Sequence, residues 1–439
     1  MTTPQVPLLP RPRPHGLQLI LRPLVEFLHT EAAGGIVLLV ATVAALIWAN
    51  SPWAEAHQHL WHTTVGVEVG RWSMKHPLEW WINDGLMVLF FFVVGLEIKR
   101  ELVAGELREP RKAALPAAAA LGGMLVPALV YFALQHGRPG ERGWGVPMAT
   151  DIAFAVGVLA LLPRVPAGLK ILLLSLAIVD DIGAVLVIGI FYSSDISFVA
   201  LAWAGGGLLA IVGARLARIR VLGLYAAVAV FVWLALTQSG IHPTLAGVAL
   251  GLLTPSRSLV GKARLLEILE VVSVRLRARE DDSLAEEVNT LVKYGRRTMP
   301  LLDRLQSALH PWVAFAIMPL FALANAGVVI DMRELASPVS LAVAAGLLFG
   351  KPIGVVLFSL AAVRLGVAQM PTGVTFGRLV GIGFLAGIGF TMSLFIAALG
   401  LKGDLLTAGK VGTLIGSVGS AALGVVVLIL TLPKRATGD

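Results

Sequence analysis

The chain has no cysteine and few charged residues. The lack of cysteine excludes disulfides and thiolate metal sites. Only 14% of the 439 residues are Asp, Glu, Lys or Arg, whereas soluble globular proteins have about 25%. Hydrophobic residues make up 57% of the chain, and its mean hydropathy is +0.83. This composition excludes an ordinary soluble enzyme and a disordered protein, and it indicates a protein of many membrane-spanning helices.

Long apolar stretches recur along the chain, and a helix needs about 20 such residues to cross a membrane. We predict twelve spans, of which the eighth is short. They are expected near 31–50, 80–98, 112–135, 145–163, 169–192, 197–216, 221–239, 241–254, 311–330, 338–364, 374–400 and 408–432.

Basic residues are unevenly spread between the loops that join these stretches. If the N-terminus is cytoplasmic, most of the 35 Lys and Arg residues fall in or beside the inner loops. Such a bias predicts an even number of spans with both termini in the cytoplasm. The net charge of +8 then reflects loops beside an anionic inner leaflet and gives no reason to expect a nucleic acid partner.

The pattern of spans and loops divides the chain into five regions. We expect a cytoplasmic tail (1–30), spans one to eight (31–254), a charged cytoplasmic loop (255–309), spans nine to twelve (310–432) and a second tail (433–439).

A small hairpin is predicted on the external side, at about 60–76. Val65, Val67 and Val69 alternate there with Gly and Glu, as expected for a strand with one apolar face. An irregular loop is the alternative interpretation.

Several charged residues lie inside the apolar stretches, where each costs about 2.5–3.5 kcal/mol at mid-span. Asp180 and Asp181 are in the middle of span five, Lys351 is in the middle of span ten, and Asp151 is in span four. Buried ion pairs that only join helices are one explanation. That explanation suits two adjacent aspartates poorly, because neighbours on a helix point about 100° apart and cannot easily share one partner.

Adjacent carboxylates in an apolar span titrate as a coupled pair. Their oxygens can hold protons or a small hard cation, but not comfortably both. Competition between protons and Na⁺ or Li⁺ at Asp180 and Asp181 is therefore the direct chemical interpretation. Lys351 needs a carboxylate partner, either Asp180 or Asp151, and its release on cation binding would provide a second proton. Exchange of two protons for one cation moves net charge across the membrane.

Two spans contain residues that interrupt helices. Pro147 precedes Thr150 and Asp151 in span four, while Gly387 and Gly389 lie near the middle of span eleven. These spans are the middle members of the triplets 3–4–5 and 10–11–12. The pattern predicts an inverted repeat whose two discontinuous helices cross at mid-membrane, beside the buried charges.

Three other functions remain open from the residues alone. An ion-coupled transporter of organic anions would need a roomy polar cavity, but few Asn, Gln or Tyr residues lie inside the spans. An intramembrane aspartyl protease needs aspartates from different helices, and the Asp180–Asp181 pair is sequential. A non-transporting sensor is not excluded, but no output domain is evident.

Seven motifs resemble those of the NhaA family of bacterial sodium/proton antiporters, from about residue 25 to 432. They are VGLEIKREL (94–102), ATDIAFAVGVLALL (149–162), LAIVDDIGA (176–184), SGIHPTLAGV (239–248), LHPWV (309–313) followed by PLFALANAG (319–327), FGKP (349–352) and GIGFTMS (387–393).

This resemblance implies an all-α polytopic protein that works as a secondary active transporter and not as an enzyme. It implies electrogenic exchange of about two protons for one Na⁺ or Li⁺, in the bacterial inner membrane and without a cofactor. Asp180 and Asp181 would bind the cation and protons, Asp151 and Thr150 would lie at the crossing of the broken helices, and Lys351 would be the partner lysine. A homodimer formed through the external hairpin is also implied.

Regulation by pH is a further implication of the resemblance. Glu97, Glu101 and His242 match positions linked to that response, and His310, at the predicted start of span nine, is another candidate. The chain departs from the family nearby, where a Glu-His pair is replaced by Gln306 and Ser307. Neither replacement titrates as the usual residues do, so the pH profile is expected to differ.

Overall fold

The computed structural model describes residues 31–70, 72–162, 164–217, 219, 221–256, 266–267, 269–270, 299–329 and 331–432. The two predicted tails and most of the predicted cytoplasmic loop lie outside the described residues.

Apolar helices make up most of the described chain. In order they are α1 (Glu31–Ala49), α2 (Ala54–His62), α3 (Leu78–Ala104), α4 (Pro110–Gln135), α5 (Ile152–Ala160), α6 (Ala167–Phe191), α7 (Phe198–Leu216), α8 (Leu222–Thr237), α9 (Leu245–Leu253), α10 (Leu301–Asn325), α11 (Met332–Leu335), α12 (Pro338–Arg364), α13 (Phe376–Ala386), α14 (Phe390–Gly400) and α15 (Asp404–Thr431). Short 3₁₀ segments cover Glu106–Arg108 and Glu141–Met148.

Eight helical stretches in the described chain are long and apolar enough to cross a membrane, or up to ten if each sharply bent pair counts as one span. This confirms a polytopic membrane protein. Helices α8 and α9 have 16 and 9 residues, fewer than the roughly 20 that a full crossing needs. The total of twelve spans therefore stays a prediction.

Two predicted boundaries differ from the structure. Helix α10 begins at Leu301, so the predicted division between 309 and 310 falls inside a helix. His310 lies well within α10 and does not start it. The predicted eighth span begins four residues too early, because Ile241–Thr244 precede α9.

The predicted hairpin is present as two antiparallel strands, β1 (Thr64–Val69) and β2 (Trp72–Pro77). Val65 pairs with His76, and Val67 pairs with Met74. The indole of Trp81 in α3 donates to the carbonyl of Val65 at 2.8 Å, which joins the hairpin to the helix that follows it. An irregular loop is thus the wrong interpretation, while the external position and the dimer contact stay predictions.

Small residues let the long helices approach closely. A Cβ added to Gly122 of α4 would lie 2.2 Å from the carbonyl oxygen of Gly354 in α12, and one added to Gly247 of α9 would lie 2.2 Å from that of Val88 in α3. Such contacts are typical of helix interfaces in membranes. The packing of α4 against α12 brings the Lys351 region into the interior of the protein.

Both predicted interruptions are present. The 3₁₀ segment Glu141–Met148 is followed by the non-helical residues 149–151 and then by α5. Helices α13 and α14 are separated by 387–389 and bend by 46°. Pro147 lies inside the 3₁₀ segment, so the chain leaves helical geometry just after it.

Candidate functional site

The two interrupted spans are joined by hydrogen bonds at their breaks. The backbone N–H of Asp151 donates to the carbonyl of Ile388 at 2.7 Å. The hydroxyl oxygen of Thr150 lies 2.8 Å from the carbonyl oxygen of Ala386 and 2.6 Å from Oδ2 of Asp180. A hydroxyl has one hydrogen, so Thr150 can donate to only one of these acceptors at a time. The break segments therefore connect directly to the aspartate pair on α6.

Lys351 and Asp180 form an ion pair in the protein interior. Nζ of Lys351 lies 2.6 Å from Oδ2 of Asp180, and both side chains have no exposed surface. The ammonium also donates to the carbonyl of Met148, at the end of the 3₁₀ segment. Oδ1 of Asp180 is buried and has no hydrogen-bond partner among the residues that the structure describes. Of the two predicted partners of the lysine, Asp180 is the one found, and the alternative pairing with Asp151 is wrong.

Asp151 instead lies at the first turns of two helices. Its Oδ1 accepts from the backbone N–H of Phe154 at 2.9 Å, which caps α5. Its Oδ2 accepts from the backbone N–H of Thr391 at 3.2 Å and from the Thr391 hydroxyl, at the start of α14. A carboxylate is favourable there because helix N-termini carry partial positive charge. Asp151 thus holds the two half-helices together.

Asp181 has different surroundings from its neighbour. It lines a cavity of about 700 Å³, together with Thr150, Asp151, Glu97 and His310. Asp180 does not line this cavity and forms its ion pair with Lys351. The rotation of about 100° between successive helical residues explains how one carboxylate can face the cavity while the other faces the lysine.

The four pH-response candidates fall into two places. Glu97, Glu101 and His310 line the cavity. Glu97 accepts from Nε2 of Gln306 at 3.4 Å, and Glu101 accepts from the backbone N–H of Glu106 at 3.1 Å. His242 does not line the cavity.

His242 is part of a second polar contact, near the start of α3. Its Nε2 lies 3.2 Å from Oδ1 of Asp84, and its Nδ1 lies 2.7 Å from the hydroxyl of Thr244. The structure therefore separates His242 from the other candidates.

Comparison with known proteins identifies the family. The family described as Na⁺/H⁺ antiporter 1 matches residues 25–428. Among curated relatives, the Na⁺/H⁺ antiporter NhaA 1 of Acidiphilium cryptum is 50% identical over 93% of this chain and 92% of its own. The NhaA of Rhodopirellula baltica is 48% identical over 94% and 95% of the two chains, and NhaA 2 of Vibrio vulnificus is 45% identical over 92% and 91%. The chain belongs to the NhaA family of Na⁺/H⁺ antiporters.

Both the family and the apolar helices indicate a membrane transporter. NhaA proteins are secondary transporters and not enzymes, and the chain is a multi-pass bacterial membrane protein. Within the described residues, no three His, Asp or Glu side chains form a cluster suited to a metal ion. The Na⁺ or Li⁺ site at Asp180 and Asp181, with the cation as cargo, stays a prediction.

The helix-break residues allow close approach at the site. A Cβ added to Gly387 would lie 2.4 Å from the carbonyl oxygen of Leu347, and one added to Gly389 would lie 2.1 Å from the hydroxyl of Ser393. Pro147 contacts α12 in a similar way, since a Cβ on Gly346 would lie 2.6 Å from its Cβ. These three residues thus shape the packing as well as the breaks.

Sequence reasoning assigned no role to some residues that contact the site. Thr391 bonds to Asp151. Gln306, which the sequence connected only with an altered pH profile, lies in the cavity between Glu97 and Arg100. Ser417 and Ser420 of α15 contact α14 and α12. The available signal for the serines was a pair of polar residues three apart within an apolar span, which is too common to identify them without the fold.

Proposed function

We propose that the protein exports Na⁺ or Li⁺ in exchange for protons by competition at Asp180 and Asp181. The observation that supports this most is the different environment of two adjacent buried carboxylates. Asp181 faces the cavity, whereas Asp180 is paired with Lys351. A cation in the cavity can reach Asp181 but not Asp180, so Asp181 is the primary cation ligand and proton carrier.

The second oxygen ligand for the cation is Oδ1 of Asp180, which has no hydrogen-bond partner within the described part of the chain. Binding of a positive ion there weakens the attraction between Asp180 and the ammonium of Lys351. The lysine then releases its proton, and Asp181 releases another. Return of protons reverses both steps. Thr150 can donate to Asp180 or to Ala386, so it adapts to either state.

Exchange of two protons for one monovalent cation makes the transport electrogenic, so a membrane potential changes its rate. We place this cycle in the bacterial inner membrane, on a fold of twelve spans with both termini cytoplasmic. The two broken spans belong to inverted repeats and cross at mid-membrane. Their hydrogen bonds through Asp151 and Thr150 support this arrangement.

The proposal includes regulation of transport by pH and assembly into a homodimer. Glu97, Glu101 and His310 are candidates for the pH response because they line the cavity that leads to Asp181. His242 would act separately, through Asp84. The β1–β2 hairpin is the proposed dimer contact, since Val65 and Val67 are 47% and 54% exposed.

Proton flux in reconstituted vesicles tests the site. We expect Asp181→Asn to lose Na⁺-dependent and Li⁺-dependent proton flux, and Asp180→Asn to lose nearly all of it, because each removes a carboxylate that carries charge. Asp331→Asn is the matched control, since Asp331 is exposed and asparagine also caps a helix.

Binding provides an independent measurement. Addition of Na⁺ to purified protein should release protons from the wild type and from Asp331→Asn, but not from Asp181→Asn. Wild-type flux in both site variants would refute the assignment. Coupling to another cargo, with no response to Na⁺ or Li⁺ at any pH, would favour a different ion-coupled transporter on this scaffold.

A further inference from the structure

The last helix, α15, contacts both parts of the candidate site through two serines. Ser417 and Ser420 are buried and three residues apart, so they lie on one face of the helix. The Ser420 hydroxyl donates to the carbonyl of Leu347 at 3.1 Å, and the Ser417 hydroxyl accepts from the backbone N–H of Phe390 at 3.0 Å. Neither serine touches Asp180 or Asp181, so any effect on them acts through other residues.

Leu347 lies in a π-helical turn, Gly346–Gly350, that directly precedes Lys351. In this turn the N–H of Lys351 bonds to the carbonyl of Gly346, five residues earlier. The N–H that would continue this pattern to Leu347 belongs to residue 352, which is proline and has no N–H. The carbonyl of Leu347 therefore loses both regular helical donors, and Ser420 supplies the missing hydrogen bond.

This contact is tightly enclosed. A Cβ on Gly387 would lie 2.4 Å from the Leu347 oxygen and 2.6 Å from the Ser420 hydroxyl, and one on Gly416 would lie 3.0 Å from Cβ of Leu347. Three spans thus meet at one buried carbonyl. There is little room for another donor to replace the serine.

The π turn determines where the lysine points. One extra residue in a turn rotates the residues after it by about 100° relative to those before it. Loss of the bond to Leu347 favours a return to α-helical geometry, in which Lys351 N–H would bond to Leu347. Such a change would move the ammonium relative to the charged groups that face it, Asp180 and Asp181 of α6.

Ser417 acts on the other side of the site. The N–H that it accepts belongs to Phe390, whose neighbour Thr391 donates to Asp151. Phe390 has a φ of +22°, which a non-glycine residue seldom adopts. The serine oxygen thus holds the first residue of α14 in place.

We propose that Ser420 is a positioning residue for Lys351, which it holds against Asp180 by satisfying the carbonyl that Pro352 leaves without a helical donor. Ser417 gives the same support to Thr391 and Asp151. The inference rests on the proposed role of the Lys351–Asp180 pair in proton exchange. It adds that the last span controls the geometry of this pair.

The test measures Na⁺-dependent proton flux against pH in vesicles. For Ser420→Ala, we expect about a tenfold change in apparent proton affinity, which shifts the pH of half-maximal flux by about one unit. Ser420→Cys keeps the size of the side chain but is a weak donor, so it should shift the profile less and remain folded. The matched control is Thr413→Val, because this buried hydroxyl of α15 donates to the carbonyl of Gly409 in its own helix.

The double variant Ser420→Ala/Pro352→Ala gives the sharpest result. Alanine at 352 restores an N–H that can donate to Leu347, so the profile should return toward that of the wild type, and the two changes should not add. A merely structural role of Ser420 would lower the stability of Ser420→Ala without moving its pH of half-maximal flux.

Wild-type profiles for both Ser420 variants would overturn the inference, and so would an equal shift in Thr413→Val. Asp181→Asn, measured in parallel, separates this failure from that of the proposed function. If Asp181→Asn is inactive and the serine variants are unchanged, only the role of Ser420 is wrong. If Asp181→Asn keeps wild-type flux, the ion site itself is wrong.

Discussion

Replacement of Lys351 by alanine should destabilise the protein in a strongly pH-dependent way. The variant removes the ammonium that lies 2.6 Å from Asp180 and leaves this carboxylate in a site with no exposed surface. Removal of one partner of a buried ion pair typically costs about 3–5 kcal/mol. The truncated side chain also leaves the carbonyl of Met148 without its Lys351 donor.

The size of the loss depends on whether Asp180 is charged. At alkaline pH the isolated carboxylate is ionised, and the full cost of about 3–5 kcal/mol applies. At acid pH a proton neutralises it, so the cost should fall to the loss of packing and hydrogen bonds. Stability of Lys351→Ala relative to the wild type should therefore decrease as the pH rises.

Chemical unfolding in detergent micelles across a pH series measures this difference. Lys402→Ala is the control, because Lys402 is exposed and its loss should cost less than about 0.5 kcal/mol. Asp180→Asn/Lys351→Met should recover most of the lost stability, since it removes both charges together. A Lys351→Ala variant that is as stable as the wild type at alkaline pH would contradict a stabilising ion pair, and so would additive destabilisation by the two site substitutions.

Two further predictions concern the cavity and the helix packing. Gln306→Glu places a carboxylate about 3.4 Å from Glu97, and two such groups keep a shared proton to higher pH. The flux profile should therefore move toward alkaline pH by about one unit. Gln58 is exposed, so the control Gln58→Glu should leave the profile unchanged. An unaltered profile in Gln306→Glu would contradict a regulatory role for this contact. Gly122→Ala puts a Cβ 2.2 Å from the Gly354 oxygen and should lower unfolding free energy by about 1–3 kcal/mol. In the control Gly205→Ala, the added Cβ has no atom within 4 Å, so this variant should be neutral or slightly stabilising in the same unfolding measurement. Equal stability of the two variants would argue against close contact of α4 and α12.

Most helices could be predicted from hydropathy, and the exceptions have physical causes. Helix α10 begins about ten residues before the predicted span because its first turns, which include Asp303 and Arg304, are too polar for a hydropathy criterion. Helix α9 is shorter than expected because Pro243 lies within the predicted span and the helix begins only at Leu245. Hydropathy detects apolar length, but helix ends depend on local backbone hydrogen bonds.

The charged residues of the site were evident from the sequence for a related reason. Asp151, Asp180, Asp181 and Lys351 stand out because charge is costly in an apolar span. Their pairing was not evident, and Asp180 and Asp151 were equal candidates for Lys351. The choice depends on how α12 approaches the 3₁₀ segment and α6, which involves contacts 171 and 203 residues apart in the chain.

The partner of Ser420 could not be read from the sequence either. Pro352 shows from the sequence alone that a helical carbonyl must lose its donor, since proline has no N–H. Which side chain replaces that donor depends on a helix 73 residues away.

Three properties could be inferred without the fold: the membrane class of the protein, the approximate positions of its helices and the small set of charged residues within them. These properties follow from the cost of polar groups in lipid, which acts on each segment separately. The fold was needed to show that Lys351 pairs with Asp180, that Asp151 joins two helix ends and that Asp181 lines the cavity. Such choices depend on the packing of helices that are distant in sequence, where a few ångströms decide which oxygen a donor reaches.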